Sequence, residues 1–117
     1  QKAGVTTLPN GLQYEILEKG EGALPKSTDT VEVHYEGTLI DGSIFDSSIR
    51  RGEPASFPVT AVIPGWTQIL QMMPVGSKWR VVIPAELAYG ERGAGQMIEP
   101  NMTLIFIIQL LRIEDKQ

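Results

Sequence analysis

An α+β fold, an antiparallel sheet curving over a single helix, follows from three features of this 117-residue chain. Val31, Val33 and Tyr35 alternate with Glu32, His34 and Glu36, the two-residue period of a half-buried strand. Asp41-Gly42, set between Leu39-Ile40 and Ile44-Phe45, is a tight-turn signal. Trp66, Ile69, Leu70 and Met73 recur at helical spacing and make one apolar stripe. Several strands with one short helix cannot build a doubly wound sheet, so the sheet must curve over the helix it has.

The elements follow in chain order. Leu12, Tyr14 and Ile16 alternate with polar neighbours and predict a strand. Residues 56–60 predict a short strand interrupted by Pro58, which suits an edge or a bulge. Pro64 opens the helix, and Pro74 with Gly76 closes it. From Trp79 to Ile83 the odd positions are apolar. Between Pro84 and Pro100 there is no clear period beyond a brief helical turn at 84–88, and structureless loops of this length tend to be functional. Thr103 to Ile113 is apolar at nearly every position, as in a strand covered on both faces.

A chain of this length fits one domain with one core. With 42% hydrophobic and 21% charged residues and a net charge of −4, it offers no basic stripe for nucleic acid or an anionic membrane. The one basic doublet, Arg50-Arg51, fits a solvated loop better than a phosphate clamp. There is no cysteine, hence no disulfide, thiol nucleophile or zinc-thiolate site. The longest apolar run, Leu104 to Ile108, is far short of a membrane span. The chain begins at Gln without a visible signal peptide, as expected of a mature chain or an excised domain.

Most catalytic constellations are absent. His34 is the only histidine and sits on the polar phase of its strand, so a surface position is expected for it. No G-x-S-x-G elbow, H-E-x-x-H motif, EF-hand loop or glycine-rich phosphate loop occurs. Asn101-Met102-Thr103 matches a glycosylation sequon, a match common by chance. What remains is aromatic. Tyr35, Phe45, Trp66 and Tyr89, half of the eight aromatics, stand beside turn residues or polar groups. Rings of this kind are usually packing, but Tyr89 in a long loop and Asp46 beside Phe45 point to an apolar pocket with polar tips. A carboxylate beside a large ring needs a hydrogen-bond partner, such as a tyrosine hydroxyl.

Four segments together are specific: Val33-His34-Tyr35-Glu36-Gly37-Thr38-Leu39, Gly42-Ser43-Ile44-Phe45-Asp46-Ser47-Ser48, Val62-Ile63-Pro64-Gly65-Trp66 and Ile83-Pro84-Ala85-Glu86-Leu87-Ala88-Tyr89-Gly90. In this order they resemble the FKBP-type peptidyl-prolyl isomerases. Arg51-Gly52-Glu53-Pro54, Met73-Pro74-Val75-Gly76-Ser77-Lys78-Trp79 and Gly90-Glu91-Arg92-Gly93-Ala94-Gly95 are similar to the bacterial Mip-like branch (macrophage infectivity potentiator and relatives). The likeness runs from about Gly11 to Ile113, which leaves residues 1–10 as an N-terminal extension or linker stump and 11–117 as the isomerase domain.

The resemblance implies a five- to six-stranded antiparallel sheet wrapped around one short helix, a prolyl pocket floored by Trp66, and no cofactor or metal. Tyr35, Phe45, Asp46, Tyr89 and Phe106 take the positions of the family's catalytic residues. Phe57, Val62, Ile63 and Trp66 match substrate- or inhibitor-binding positions, Arg51 a basic residue that pairs near Asp46, and Met97 and Ile98 apolar loop residues overhanging the site. In that scheme the rings hold the prolyl side chain, and the Ile63 N–H and Tyr89 hydroxyl bind peptide carbonyls. Implied partners are proline-containing polypeptides and the macrolides rapamycin and tacrolimus, with no nucleic acid and no membrane contact by this domain.

A monomer is expected for the chain as given. Gln1-Lys2-Ala3-Gly4 fits the stump of an upstream dimerisation arm, and a homodimer is expected for the parent. The implied compartment is the bacterial periplasm or cell envelope, with the cytoplasm as the alternative. A second functional class, a chaperone or interaction module that binds apolar-proline segments, would use the same pocket. Ala55, Glu99 and Ile107 depart from the family pattern, which bears on inhibitor affinity and loop dynamics.

Overall fold

A computed structural model describes residues 4–94 and 97–114. The stump residues Gln1–Ala3 and the motif glycine Gly95 lie outside the described residues. Seven strands, β1 (Val5–Thr7), β2 (Gln13–Glu18), β3 (Thr30–Thr38), β4 (Ile44–Ser47), β5 (Ala55–Pro58), β6 (Lys78–Ile83) and β7 (Leu104–Ile113), form one sheet. Their order is β1-β2-β6-β7-β3-β4, with β5 also on β3, and every pairing is antiparallel. The helix α2 (Pro64–Leu70) packs on the concave face, and a four-residue helix, α1 (Ser48–Arg51), follows β4.

The periodicities place the core. In β3 Val31, Val33, Tyr35 and Gly37 are buried while Glu32, His34, Glu36 and Thr38 are half-buried on the other face. Trp66, Ile69, Leu70 and Met73 are all buried against that face together with Val81, Ile83, Leu104, Phe106, Ile108 and Leu110. Met73 belongs to the turn after α2 rather than to the helix, which ends at Leu70, ahead of Pro74. Tyr14 and Trp79 pack on one another, stacked at 4.4 Å. At the Asp41-Gly42 turn, Gly42 has φ +92° and the Asp41 carboxylate accepts the Ser43 N–H at 2.9 Å.

Three expectations are corrected. The sheet has seven strands, one above the upper end of the expected five to six, because Val5–Thr7, inside the stretch assigned to an extension, pairs with β2. Strand β7 is buried on one face only: Ile105 and Ile107 on the other are half-exposed. And α1 adds a second helix, capped by the Ser47 hydroxyl accepting from Arg50 N at 3.2 Å and ended by Gly52 at φ +80°.

The remaining loop is tied down at Tyr89. After a 3₁₀ turn (Ala85–Leu87), Gly90 N donates to Ala85 O, Gly93 N to Tyr89 O, and Asn101 N to Gly90 O at 2.7 Å. Tyr89 is thereby held beside β7 without belonging to a regular element.

Candidate prolyl-binding cavity

A cavity of about 400 Å³ opens between α2, β3 and the 84–100 loop, lined by Tyr35, Asp46, Phe57, Ala61, Val62, Ile63, Trp66, Tyr89 and Phe106. Trp66, in the first turn of α2, is its hub. Tyr35, Phe57 and Phe106 meet it edge-to-face at 5.3, 5.5 and 5.3 Å. Such contacts exploit the ring quadrupoles and fix each ring against the next. Trp66 is 4% exposed, and its buried Nε1 has no hydrogen-bond partner among the described residues. The Thr67 hydroxyl donates to Val59 O at 2.7 Å and anchors α2 beside β5.

Polar groups are few and gathered at one wall. Tyr35 donates its hydroxyl to Asp46 Oδ2 at 2.6 Å, while Arg51 Nη1 donates to Asp46 Oδ1 at 2.6 Å. Arg51 Nη2 also donates to the Tyr35 hydroxyl at 3.1 Å, and its guanidinium lies 5.7 Å from that ring's centre. Burial pushes the Asp46 carboxyl up, but the Tyr35 hydroxyl and the Arg51 guanidinium outweigh it and leave the group below its ordinary value. Burial, then the hydrogen bond to Asp46, raises the Tyr35 phenol. Both Asp46 oxygens are therefore engaged, and a carboxylate so satisfied is a poor proton acceptor. Arg51, read from composition as part of a solvated doublet in a loop, is exposed as expected but sits in α1, which its ion pair with Asp46 ties to the cavity wall.

The predicted site residues separate into layers. Tyr35, Asp46, Phe57, Val62, Ile63, Trp66, Tyr89 and Phe106 line the cavity. Phe45 does not. It packs against the lining residue Phe106, edge-to-face at 5.5 Å. Arg51 stands behind Asp46. Ile98 is 8% exposed and packed into the core, Met97 is 42% exposed, and neither belongs to the lining. His34 is not a bare surface residue, since its Nδ1 lies 2.9 Å from the buried Ser48 hydroxyl.

Two residues escaped the sequence reading. Ala61 lines the cavity but carries no signature in a loop. Gly37 faces the rings: a Cβ there would come within 2.6 Å of Phe45 Cζ and 2.8 Å of Phe106 Cε1. A glycine inside an otherwise apolar-alternating strand was the available sign of that close approach.

Comparison with known proteins agrees with this geometry. The family described as FKBP-type peptidyl-prolyl cis-trans isomerase matches residues 21–111. The chain is similar to the FKBP-type 22 kDa peptidyl-prolyl cis-trans isomerase of Escherichia coli K12, 59% identical over 97% of this chain and 55% of that protein. It is also similar to the outer membrane protein MIP of Legionella longbeachae, 56% identical over 97% of this chain and 48% of that one. The crystal structure of FkpA from Escherichia coli superposes with a TM-score of 0.93 at 50% identity, covering 97% of this chain and 53% of that chain. The chain thus spans about half the length of the curated relatives it matches. Its aromatic cavity, its curved antiparallel sheet and a family match over most of its length place this chain in the FKBP-type peptidyl-prolyl cis-trans isomerase family.

Proposed function

We propose that this domain accelerates cis-trans rotation of X-Pro bonds in polypeptides, in the cavity floored by Trp66. The observation that carries the reading is the edge-to-face enclosure of Trp66 by Tyr35, Phe57 and Phe106, which leaves an apolar slot with one polar wall and room for a prolyl ring. Rotation about a peptide bond faces a barrier of about 18–20 kcal/mol because the planar C–N bond is partly double. For X-Pro the unaided process takes roughly tens to hundreds of seconds. In the twisted state conjugation is lost and the carbonyl is less charge-separated than in the planar amide. A dry aromatic cavity then disfavours both planar isomers relative to the twisted one, which is differential binding of the transition state.

The rings of Trp66, Tyr35, Phe57 and Phe106, with Val62, hold the prolyl side chain and exclude water. Phe45 keeps Phe106 upright. The Ile63 N–H and the Tyr89 hydroxyl receive the peptide carbonyls on either side. Asp46, fixed by Tyr35 and Arg51, presents a constant charge toward the twisting amide and takes no proton. Ile98, rooted in the core, carries Met97 at the surface, where Met97 contacts the flanking substrate.

Proline-containing segments of unfolded chains are the substrates of this reading, and rapamycin and tacrolimus would fill the same slot. A cell-envelope location for the whole protein is supported by the Legionella relative, named an outer membrane protein. A protease-coupled assay with an X-Pro peptide tests the activity. Isomerisation faster than the thermal rate and suppressed by rapamycin is expected, and a rate equal to the thermal one would refute it.

A further inference from the structure

Behind the polar wall of the cavity lies a buried hydroxyl that the proposed chemistry does not use. Ser48, the first residue of α1, is wholly buried. Its Oγ accepts the backbone N–H of Tyr35 at 2.8 Å. It also lies 2.9 Å from His34 Nδ1 and 3.3 Å from the Tyr35 carbonyl oxygen. The hydroxyl has a single proton and two candidate acceptors. The shorter, His34 Nδ1, is the better one, and it can accept only when the imidazole proton sits on Nε2.

Ser48 also stands three residues before Arg51, at the other end of the same short helix, and Arg51 grips both Asp46 and the Tyr35 hydroxyl. One buried hydroxyl therefore fastens the backbone of Tyr35 to the helix that supplies the partner of its side chain. We propose that Ser48, oriented by His34, is a positioning residue for the Tyr35–Asp46–Arg51 group. His34 Nδ1 draws the hydroxyl proton away from the Tyr35 carbonyl and leaves the oxygen lone pair for the Tyr35 N–H. Without that acceptor the hydroxyl turns to the Tyr35 carbonyl, β3 and α1 are less firmly joined, and the polar wall loses its register. The inference rests on the isomerase reading of the cavity for its effect on turnover, but not for the hydrogen bonds themselves.

Two kinds of measurement separate those parts. Nitrogen-15 NMR of the imidazole, recorded without substrate, is expected to show an Nε2–H tautomer with Nδ1 accepting, and Ser48→Ala is expected to shift the Nδ1 signal toward that of a free acceptor. In the isomerisation assay, Ser48→Ala, which removes the hydroxyl's hydrogen bonds to both Tyr35 N–H and His34, and His34→Leu, which removes the second alone, are each expected to lower kcat/KM by roughly threefold to tenfold, with His34→Gln, which keeps an acceptor, close to the parent. In a Tyr35→Phe background, Ser48→Ala is expected to cause no further loss, which a general destabilisation would. An Nδ1–H tautomer, an unchanged kcat/KM in both variants, or fully multiplying losses in the Tyr35→Phe background would overturn the proposal. If the parent domain fails to accelerate isomerisation, the proposed function falls and the NMR result alone decides the hydrogen-bond assignment.

Discussion

Tyr35 and Asp46 are joined across the β3–β4 pair by a 2.6 Å hydrogen bond from phenol to carboxylate, and this bond turns an acid beside an aromatic ring into a fixed part of the cavity wall. Both oxygens of the acid accept hydrogen bonds, one from Tyr35 and one from Arg51. Its acid sensitivity follows from its environment. The folded-state value of Asp46 lies below the ordinary 3.8, so its contribution to stability is fully present above about pH 3.8 and is lost as pH falls through the folded value. Thermal melts of the parent and of Asp46→Asn are expected to differ by a constant Tm gap above pH 5 and to converge in more acid solution. A gap that persists undiminished to the most acid pH would contradict the assignment.

Phe45 meets Phe106 edge-to-face at 5.5 Å and is not among the residues that line the cavity. Truncating this half-buried ring removes one of the two edge-to-face partners of Phe106, leaving only Trp66, and opens space beside it. Phe45→Ala is expected to cost about 2–3 kcal/mol of stability and nearly all of the turnover on an X-Pro peptide. Melting curves and the coupled assay check both. Full turnover in this variant would show that the wall behind Phe106 does not matter.

Gly37 supplies the room for those two rings. An added methyl would lie 2.6 Å from Phe45 and 2.8 Å from Phe106, closer than real carbon contacts, so one ring must move. Overpacking of this kind costs about 1–3 kcal/mol, and here the displaced atoms belong to the cavity wall. Gly37→Ala is expected to reduce kcat/KM by about tenfold, with part of the loss recovered when Phe45→Leu is added. Additive losses in the double variant would place the strain elsewhere.

Tyr89 enters from a loop, held by the hydrogen bonds of its neighbours Gly90 and Gly93. The residue is 39% exposed and belongs to the cavity lining. Tyr89→Phe removes one hydroxyl and keeps the ring, so kcat/KM is expected to fall by only about threefold while Tm stays within a degree or so. A loss of several hundredfold would make the hydroxyl a proton carrier instead.

Strong periods made most of this legible in the sequence. The alternation of β3 and the helical stripe of α2 each identify the buried face, because one-sided burial leaves a repeating mark on the chain. The need of Asp46 for a tyrosine partner could be read from the cost of burying a charge. What escaped lacks a period. β1 has three residues, α1 has four, and Ala61 acts only by being small in the right place. Strand β7 misled for a different reason: Ile105 and Ile107 are apolar yet lie on the uncovered side of the sheet, and apolar residues at a surface break no physical rule. His34 followed the polar phase of β3 as expected, but the buried serine it meets comes from a helix whose packing no local pattern announces.

Rotation of the X-Pro bond in this cavity is proposed to need no proton transfer, and a solvent isotope effect reads that out. With kcat/KM for an X-Pro peptide measured in H₂O and in D₂O under identical conditions, a ratio of about 1 is expected, because neither Asp46 nor Tyr89 moves a proton in the transition state. A ratio of about 2 or more would mean that general acid or base catalysis contributes and would contradict this account.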